Sequence, residues 1–550
     1  MITAVNGVLC DENGVLTNFK PTIKGVFAEN NDPQKIWFQI KILQGERCTI
    51  VEPMPYHKLD KLRFDSISPV FQCLDASGSQ TDRLVRNYLR AVIAKKLQSE
   101  DPGILFSQMG WHTLADGRHV YVAGDQVIGD VDGLDYTLAP SLSQIKMLNA
   151  YESDLSLTEK FLKVVKKRAD VIIPLIAYCI RSLLITPFAE AGYPLHFVIY
   201  LVGEQGIGKT TTAQKFSLSF DQYSPVQSPV GIIDAGSTPS SLRAVFDQLH
   251  DMPVILDDVA ITTDPQERRK RESTASQLVR FIANDNGVLR MQGKRTQHLQ
   301  GGCGMIVTAE LPLKSASDIT RCAIVGVFDQ MKSFTHDDRT LTAAVMSRFI
   351  GFFAANYDRF LENIRQRLQN IEGKEECPRQ RQIYEELSLC FELLLKYGRE
   401  VGALSGSEEK MLRKKAEEAF GLAFAHNCDL LDELEKKSLK NLAKIIVEAI
   451  NNEELNIAKS PEKYSQKPKI YDGLKASGIM CISPNALAKY LSQFAGERIS
   501  ENELGKRLRA CGLVEENAEG RTASWKRNGY PRMIPFDWKM LKSKSKMAKI

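Results

Sequence analysis

The residues with the clearest chemical implication form a glycine-rich segment near the middle of the chain. Its eight residues fit the pattern G-x-x-x-x-G-K-[ST] of a phosphate-binding loop, or P-loop. They are Gly203, Glu204, Gln205, Gly206, Ile207, Gly208, Lys209 and Thr210, and Thr211 follows them. In such a loop, backbone N–H groups surround a β-phosphate, and the next helix adds the positive end of its dipole. We predict that residues 203–211 bind ATP, that Lys209 reaches the β- and γ-phosphates, and that Thr210 ligates Mg²⁺.

Two apolar runs accompany the P-loop, and the second ends in paired acids. Residues 196–202 are typical of a buried strand that ends at the loop, and residues 253–258 have the composition of another, with Asp257 and Asp258 at its end. This second run fits a Walker B motif. Asp257 is predicted to hold Mg²⁺ through water, and Asp258 stands where many such ATPases carry a glutamate that polarises the attacking water. A solvated turn or helix cap is the alternative for an isolated Asp-Asp pair, and the neighbouring P-loop disfavours it.

A basic hairpin is predicted between the Walker B strand and the next apolar strand. Residues 287–300 form two short alternating runs around Gly293 and Lys294, with Arg290 and Arg295 beside them. In ring helicases, an insertion at this point projects into the central channel and holds the nucleic-acid backbone. We therefore predict that Arg290, Lys294 and Arg295 bind single-stranded DNA. The alternative is a surface hairpin with ordinary basic residues.

Three further side chains are candidates for contact with the γ-phosphate. Thr308 lies near the end of the strand at residues 304–310, where ATPases associated with diverse activities (AAA+) carry a polar sensor residue; packing of a β-branched residue in a buried strand is the alternative. Arg321 precedes another apolar strand and is the first candidate for an arginine finger that acts on the nucleotide of a neighbouring subunit. Arg348 is the second candidate. Either arginine could instead form a structural ion pair.

Length and composition indicate a soluble protein with several domains. The chain has 550 residues, which predicts about three or four domains. Its net charge of +5 does not by itself identify a nucleic-acid binder. The 11 cysteines include no C-x-x-C pair, so we expect no zinc, no disulfide framework and a reduced, cytoplasmic location. The N-terminus does not fit a signal peptide. The most apolar stretch, residues 171–185, is short and contains Arg181, so we expect a buried helix and no membrane span.

The fold class predicted from the pattern of the whole chain is α/β, with an AAA+ P-loop core in which helices cover a parallel sheet. A capped amphipathic helix is expected over residues 237–249 of this core. The predicted order is a β-rich domain with a helix near residues 80–98 and a hairpin at Asp116-Gly117, the core, a helical lid or connector, a winged helix and a basic tail. Their ranges are 1–138, 139–340, 341–458, 469–538 and 539–550, with a polar linker at 460–468.

The C-terminal module is predicted to be a winged helix-turn-helix that binds duplex DNA. It comprises a helix from about residue 469, a second helix at 483–491, a third that begins at a Ser500–Glu503 capping box and stops at Gly512, and two strands over 513–527. Lys506, Arg507 and Arg509 lie on the third helix, where phosphate and groove contacts are made. Winged helices also mediate protein contacts, which is the alternative. The five lysines of residues 539–549 predict a disordered arm that binds the DNA backbone, or a solubilising end.

Several segments together resemble the MCM-like helicases encoded by bacterial mobile genetic elements. These segments occur in the same order as in those helicases. They are Gly110-Trp111, 203–210, 237–249, 256–258, 287–295 and 305–310. The resemblance covers roughly residues 100 to 330 and, more loosely, the C-terminus. It implies a ring, expected to be a hexamer, that hydrolyses ATP between subunits and separates DNA strands during replication of the element. Asp258 departs from the glutamate frequent in that family, although paired acids occur in superfamily-three viral helicases.

Two functions of different classes follow as hypotheses. The favoured one is a replicative DNA helicase motor in which Lys209, Thr210 and Asp257 bind Mg-ATP and Asp258 activates water. The alternative is a DNA-binding initiator or switch in which ATP controls assembly and no unwinding occurs. A P-loop kinase is a weaker third, because a kinase needs neither the basic hairpin nor the winged helix.

Overall fold

The computed structural model describes most of the chain and divides it into two compact units. Described are residues 2–74, 79–217, 219–222, 230–235, 249–259, 264–284, 288–292, 295–299, 302–331, 338–369, 378–437, 442–495, 499–515, 524 and 529–547. The units are Met1–Cys428 and Asp429–Ile550. The helix predicted to begin at Ser237 and most of the two strands predicted over residues 513–527 lie outside the described residues.

The N-terminal part of the first unit is built mainly from strands. In chain order its elements are β1 (Thr3–Val5), β2 (Val8–Asp11), β3 (Gly14–Val15), β4 (Lys20–Glu29), β5 (Asp32–Gln44), β6 (Arg47–Ile50), β7 (Met54–Pro55), a 3₁₀ turn (Tyr56–Lys61), α1 (Phe64–Ile67), α2 (Ser79–Ser99), β8 (Gly103–Phe106), β9 (Gly110–Thr113), β10 (His119–Ala123), β11 (Gln126–Gly129) and β12 (Tyr136–Leu138). The main sheet has the order β12-β8-β4-β5-β6, with β7 also paired to β5. Helix α2 lies where the sequence indicates a helix. Its apolar face, including Val85 and Leu89, packs with Phe38 of β5 in one core cluster.

Strands β9 and β10 form the hairpin expected at Asp116-Gly117. Thr113 pairs with His119 across the turn, and Gly117 has a φ of +87°, a conformation that favours glycine. Strands β9, β10 and β11 form a separate three-stranded sheet. The Trp111 ring of this sheet contacts Tyr121 as well as Phe353 and Tyr357 far along the chain, with ring centroids 5.3–5.5 Å apart. The hairpin therefore belongs to the packed core of the first unit.

Asp251 holds this hairpin against the start of the Walker B strand. Its carboxylate accepts hydrogen bonds from the Trp111 backbone N–H (3.1 Å) and from the Thr186 N–H (2.7 Å) and hydroxyl (2.8 Å). Gly110 has a φ of +98°, and a Cβ at this position would lie 3.1 Å from Asp251 Cβ. The Gly110-Trp111 pair thus provides a close backbone approach and an apolar anchor around one buried acid.

The stability contributed by Asp251 is expected to depend on pH. Its side chain is only 2% exposed, and burial raises its pKa to about 6, although the three donors lower it. An unfolded aspartate has a pKa of ~3.9. Between pH 4 and pH 6, the folded protein therefore holds a proton on Asp251 that the unfolded chain has released. The stabilisation from this proton is complete below about pH 4 and is lost as the pH rises through about 6. The test compares the free energy of unfolding of the wild type with that of Asp251→Asn. The difference, wild type minus variant, should fall by up to about 3 kcal/mol from pH 4 to pH 7.

Denaturant unfolding followed by tryptophan fluorescence at several pH values tests this expectation. The exposed Asp101 offers a matched control, because Asp101→Asn removes one carboxylate without touching the hairpin. A difference between wild type and Asp251→Asn that stays constant across this range would contradict the prediction.

The central part of the first unit is a parallel sheet with helices packed on it. Its elements are α3 (Pro140–Ser143), β13 (Ile145–Met147), α4 (Asp154–Val165), a 3₁₀ turn (Lys166–Arg168), α5 (Ala169–Leu183), α6 (Ile185–Glu190), β14 (Val198–Val202), α7 (Lys209–Ser217), β15 (Phe220–Gln222), β16 (Ile232–Asp234), β17 (Pro253–Val259), α8 (Pro265–Ile282), β18 (Val288–Gln292), β19 (Arg295–Leu299), β20 (Gly304–Ala309), α9 (Ala316–Ile319) and β21 (Cys322–Gly326). The sheet order is β16-β17-β20-β14-β21, and every neighbouring pair is parallel. Parallel strands bring their carboxyl ends to one edge, so the loops after β14, β17 and β20 lie together there.

Helix α5 is buried from Val171 to Leu183, as its apolar sequence predicts. Arg181 within it is fully buried; its Nε donates to Glu386 Oε2 (2.8 Å), its Nη2 donates to the Tyr193 carbonyl (2.8 Å), and its guanidinium lies 4.1 Å from the Phe188 ring centroid. The pairing explains why this charge is tolerated in the core. In the described part of the chain, no helix is both long enough and apolar enough to cross a bilayer.

Four long helices follow the sheet. They are α10 (Asp338–Ala354), α11 (Tyr357–Leu368), α12 (Pro378–Glu400) and α13 (Gly406–Lys437). Helix α12 packs on α5, and its Gln380 donates to the carbonyls of Ile319 (3.1 Å) and Cys322 (3.3 Å) at the start of β21. Helix α12 is thus hydrogen-bonded to the amino end of β21, an edge strand of the sheet.

The C-terminal unit differs from its predicted outline. Its elements after α13 are α14 (Leu442–Asn451), β22 (Ile457–Ala458), α15 (Pro461–Gln466), β23 (Gly473–Ala476), β24 (Ile479–Ile482), α16 (Pro484–Ala495), α17 (Glu501–Ala510), β25 (Ile534–Asp537) and α18 (Trp538–Met547). Their sheet order is β22-β23-β24-β25. The division between units falls at 428/429, and α14 shares a core with α16 and α17, so the end of the expected connector belongs to this unit.

Three expectations for this unit need correction. The segment expected to be a linker forms α15, whose N-cap Ser460 accepts from the Lys463 N–H. The helix expected from about residue 469 is replaced by the β23–β24 hairpin, because both faces of this strand pair are buried: Leu474 and Cys481 lie in one apolar cluster, and Met480 and Ile482 lie in another. The expected disordered tail is helix α18 up to Met547: Leu541 is buried, and Lys544 Nζ donates to the Cys511 (3.0 Å) and Gly512 (2.8 Å) carbonyls.

Candidate nucleotide-binding site

The predicted P-loop connects the carboxyl end of β14 to the start of α7. Gly206 has a φ of +75° and Gly208 a φ of +97°, so both adopt a conformation that other residues rarely take. A Cβ on Gly208 would lie 3.2 Å from Met331 Cβ. These glycines let the backbone turn tightly before α7, which is the kind of turn that a loop needs if its N–H groups are to surround a phosphate.

Lys209 is held inside this loop. Its side chain is 8% exposed, and its ammonium Nζ donates to the carbonyls of Gly203 (2.7 Å) and Glu204 (2.8 Å). The positive charge therefore lies over the loop that would surround an anion. Phosphate oxygens are stronger acceptors than these neutral carbonyls, so the ammonium can exchange its partners when a polyphosphate binds.

The predicted Mg²⁺ ligands and the predicted sensor meet at one carboxylate oxygen. Asp257 Oδ1 accepts a 2.7 Å hydrogen bond from the Thr210 hydroxyl and another of 2.7 Å from the Thr308 hydroxyl. The two hydroxyl oxygens are 3.4 Å apart. Thr308 is 2% exposed and pairs in register with Leu201 of the P-loop strand. Three residues from three different segments thus place oxygen atoms together at the carboxyl edge of the sheet.

A register irregularity in β17 accompanies this arrangement. Leu256 pairs with Val307, whereas Val259 pairs with Ala309, so β17 contains one more residue than β20 between these pairs. A β-bulge of this kind redirects side chains at the end of a strand. Asp257 and Asp258 are the two residues inside it. Asp258 lies in β17 directly after Asp257, but its side chain lies outside the described residues, so its predicted role with water stays a prediction.

The oxygen cluster fits the predicted metal. Mg²⁺ prefers oxygen ligands and usually binds through one or two carboxylates together with substrate phosphates. Thr210, Asp257 and Thr308 supply a carboxylate and two hydroxyls beside a loop suited to phosphate. When bound, Mg²⁺ would neutralise charge on the phosphate oxygens.

Arg321 lies at the other end of the sheet from its own P-loop. Its carbonyl accepts from the N–H of Val198, the first residue of β14, whereas the P-loop follows the last residue of that strand. A five-residue strand at ~3.3 Å per residue separates the two ends by roughly 16 Å. The Arg321 guanidinium donates to Ser317 and Asn284. The Arg321 side chain therefore lies out of reach of a γ-phosphate bound at the P-loop of its own chain.

Arg348, the second candidate finger, is engaged within its own chain. Its Nε donates to Asp154 Oδ1 of α4 at 3.1 Å, and both side chains are partly exposed. Arg348 thus forms a structural ion pair, the alternative to a finger role. The finger role of either arginine stays a prediction, because Arg321 is also hydrogen-bonded within its own chain, to Ser317 and Asn284.

The basic hairpin forms as an antiparallel pair of strands. Strands β18 and β19 pair from Val288–Leu299 to Gln292–Arg295. Its position between β17 and β20 agrees with the prediction. Gly293, Lys294 and the side chains of Arg290 and Arg295 lie outside the described residues, so contact of these basic residues with DNA stays a prediction.

The predicted DNA-binding helix of the C-terminal unit is α17. Ser500 Oγ accepts from the Glu503 N–H at 3.2 Å, and Gly512 has a φ of +60°, so the helix begins and ends as predicted. Lys506 is exposed. Arg507 is partly buried and forms an ion pair with Glu503 one turn earlier, and Arg509 is partly buried. DNA binding by these three residues stays a prediction.

Sequence reasoning missed two groups that the fold places near these residues. One is Asp251, which is 140 residues from Trp111 in sequence. The other comprises Ser276, Arg280 and Asn284 on and just after α8, which contact Asp318 and Arg321. Their spacing of four residues marks one helix face, but their partners are not visible in the sequence.

The sheet, the glycine-rich loop and the oxygen cluster together define a P-loop-like α/β core. No protein-family model and no curated protein matches the chain. A solved structure described as SCCmec type IV Cch, an active helicase, aligns with 99% of this chain and 97% of its own, at 11% identity and a TM-score of 0.58. The chain therefore shares a fold with that structure over nearly its whole length. Two structures of JCV helicase, one with a bound small molecule, align with 41% and 40% of this chain and 70% and 69% of theirs, at 14% and 13% identity. Their TM-score of 0.20 is too low to indicate a shared fold.

Proposed function

We propose that this chain is an ATP-dependent DNA helicase or translocase with an AAA+ core. The observation that carries the proposal is the meeting of the Thr210, Asp257 and Thr308 oxygens beside the Lys209 ammonium. A structural role alone would not require a lysine, an acid and two hydroxyls on separate segments to converge at a glycine-rich turn. The fold shared with a structure described as an active helicase supports the proposal.

Each residue of the site would have a separate role in ATP hydrolysis. The N–H groups of residues 206–210 and the Lys209 ammonium would bind and orient the phosphates. Thr210 and Asp257 would hold Mg²⁺. Thr308, whose hydroxyl donates to the Asp257 carboxylate, would help to orient the attacking water. Asp258 would accept the proton from that water as it attacks the γ-phosphorus, and the β-phosphate oxygen would leave.

A ring is proposed because the site is incomplete without a neighbour. Arg321 is about one strand length from its own P-loop, so its positive charge would stabilise the transition state in an adjacent subunit. We propose a hexamer, in which the β18–β19 hairpins project into a central channel and Lys294 and Arg295 hold single-stranded DNA. The winged helix, through Lys506, Arg507 and Arg509, would bind duplex DNA during replication of a mobile genetic element.

The second candidate is an ATP-controlled initiator that binds DNA without unwinding it. The DNA-binding helix proposed in the C-terminal unit favours it, because α17 is a regular capped helix with an exposed lysine. Hydrolysis measured with and without single-stranded DNA, together with unwinding of a forked duplex, separates the two functions. DNA-stimulated turnover with strand separation, both lost in Asp258→Ala, is expected of the motor. Site-specific binding with negligible turnover would establish the initiator.

The hairpin assignment predicts a change in salt dependence. Lys294→Ala/Arg295→Ala should weaken single-stranded DNA binding and make the plot of log affinity against log salt less steep by about 1.4, since each lost phosphate contact on a single strand changes the slope by ~0.7. DNA-stimulated ATP hydrolysis and unwinding should fall with it. Fluorescence anisotropy at several salt concentrations measures the slope.

A charge-matched control for this pair is Arg83→Ala/Lys95→Ala, which removes one arginine and one lysine from the exposed face of α2. It should leave the slope unchanged. If the hairpin variant behaves like this control in binding and unwinding, Lys294 and Arg295 do not hold DNA.

A further inference from the structure

Helix α8 carries a row of polar side chains directed at the segment that contains Arg321. Ser276 Oγ donates to Asp318 Oδ2 (2.7 Å), and Arg280 Nε donates to Asp318 Oδ1 (2.7 Å). Asp318 is only 2% exposed, so its two carboxylate oxygens are held by one face of α8. This pairing fastens the short helix α9 to α8.

Asn284 continues the same row, one turn after Arg280, and reaches the arginine itself. Its amide oxygen Oδ1 accepts from both Nε and Nη2 of Arg321, at 3.4 Å each. On its other side, the guanidinium is bound by Ser317: Nη1 donates to the Ser317 carbonyl (2.5 Å) and hydroxyl (2.8 Å). Two sides of the planar guanidinium are therefore engaged, and its direction is defined.

The backbone around Arg321 is held independently from the opposite direction. Gln380 of α12, which is 1% exposed, donates to the carbonyls of Ile319 and Cys322 on either side of Arg321. Asn427 donates to Gln380 Oε1 at 2.9 Å and fixes that amide. With the backbone fixed by Gln380, the contact with Asn284 acts on the side chain of Arg321 alone.

We propose that Asn284 is a positioning residue for Arg321, and that it directs the guanidinium toward the nucleotide of the neighbouring subunit. The proposal rests on the trans role of Arg321 described above. Asn284 lies four residues before Val288, the first residue of the basic hairpin. Asn284 does not touch the nucleotide of either subunit in this arrangement; it acts through Arg321.

Mixed rings separate this role from a general structural one. Arg321→Ala subunits keep their ATP site but provide no arginine, and Lys209→Ala subunits provide the arginine but hydrolyse no ATP. Each variant alone should be inactive, and an equimolar mixture should recover DNA-stimulated ATP hydrolysis. Asn284→Ala is then added either to the Lys209→Ala subunit, which donates the arginine, or to the Arg321→Ala subunit, which binds the nucleotide.

The proposal predicts an asymmetric effect. On the arginine-donating subunit, Asn284→Ala should lower the recovered kcat about fivefold, the loss expected for one hydrogen-bonding partner, with KM for ATP unchanged. On the nucleotide-binding subunit, the same change should have no effect on kcat. Asn284→Asp keeps an acceptor oxygen and should retain turnover on either subunit. Gln277→Ala removes an exposed amide from the same helix and is the matched control.

Each other outcome overturns the proposal in a recognisable way. Equal loss from both positions, or loss with Asn284→Asp as well, would mean that Asn284 supports the fold of its own subunit. Recovered turnover that Asn284→Ala does not change would remove the positioning role and leave the trans arginine intact. Absence of any recovery in the simple mixture would overturn the trans role of Arg321 and this inference with it.

Discussion

Lys209→Ala is expected to lower kcat for ATP hydrolysis by about two to three orders of magnitude, the loss typical of removing one preorganised group that stabilises transition-state charge. The Nζ group of Lys209 is held over the loop by the Gly203 and Glu204 carbonyls. In the complex it would be the positive group of the loop nearest the β- and γ-phosphates. Steady-state phosphate release, with and without single-stranded DNA, measures the loss.

Lys215→Ala is the matched control for this variant. Lys215 lies in the last turn of the same helix α7, so its removal changes the charge of the helix without changing the loop. The control should keep turnover within about twofold, since substitutions away from a site usually have small effects. If Lys209→Ala also kept turnover within that range, while its thermal unfolding matched the wild type, the nucleotide would not bind at this loop.

Asp257→Asn is expected to reduce kcat by about a hundredfold or more, because it removes the negative charge at the point where Thr210 and Thr308 converge. Asparagine has nearly the same shape, and its carbonyl oxygen can still accept from both hydroxyls, so the fold should survive. The change therefore tests charge and not packing. The variant should also need a higher Mg²⁺ concentration for half-maximal turnover, since the carboxylate is a proposed metal ligand.

Titration of ATP hydrolysis with Mg²⁺ separates the metal role from a purely structural one. Asp329→Asn is the matched control, because Asp329 follows β21 near the same edge of the sheet and its side chain is 84% exposed. It should show the wild-type Mg²⁺ dependence. A large loss of kcat in Asp257→Asn without any change in the Mg²⁺ requirement would contradict metal binding by Asp257.

The features that could be predicted from the sequence are those that depend on neighbouring residues. The P-loop, the Ser500 cap and the β18–β19 hairpin are each specified within about ten residues, by glycines, a capping pair and an alternating pattern around a two-residue turn. Thr308 could also be predicted, because a polar residue at the end of a buried strand reaches the edge of a parallel sheet. In each case backbone chemistry restricts the local conformation before any tertiary contact forms.

Predictions were less successful where tertiary packing selects the structure. Residues 461–466 and 538–547 have polar sequences that are not expected to form stable isolated helices at these lengths. They become α15 and α18 because Tyr464 and Leu541 enter the core of the C-terminal unit. The β23–β24 hairpin replaces an expected helix for a related reason, since apolar side chains on both faces of this strand pair enter buried clusters.

The sequence by itself determined which residues can carry the chemistry: a glycine-rich loop with Lys209 and Thr210, an acidic strand end at Asp257, and an arginine before an edge strand. Only the tertiary structure decided how they are arranged. It brought Thr210, Asp257 and Thr308 to one carboxylate oxygen, placed Arg321 beyond reach of its own P-loop, and enclosed Asp251 beneath Trp111. The reason is that hydrogen bonds and packing between residues 47 to 140 positions apart depend on the order and register of the strands, which no local pattern of residues specifies.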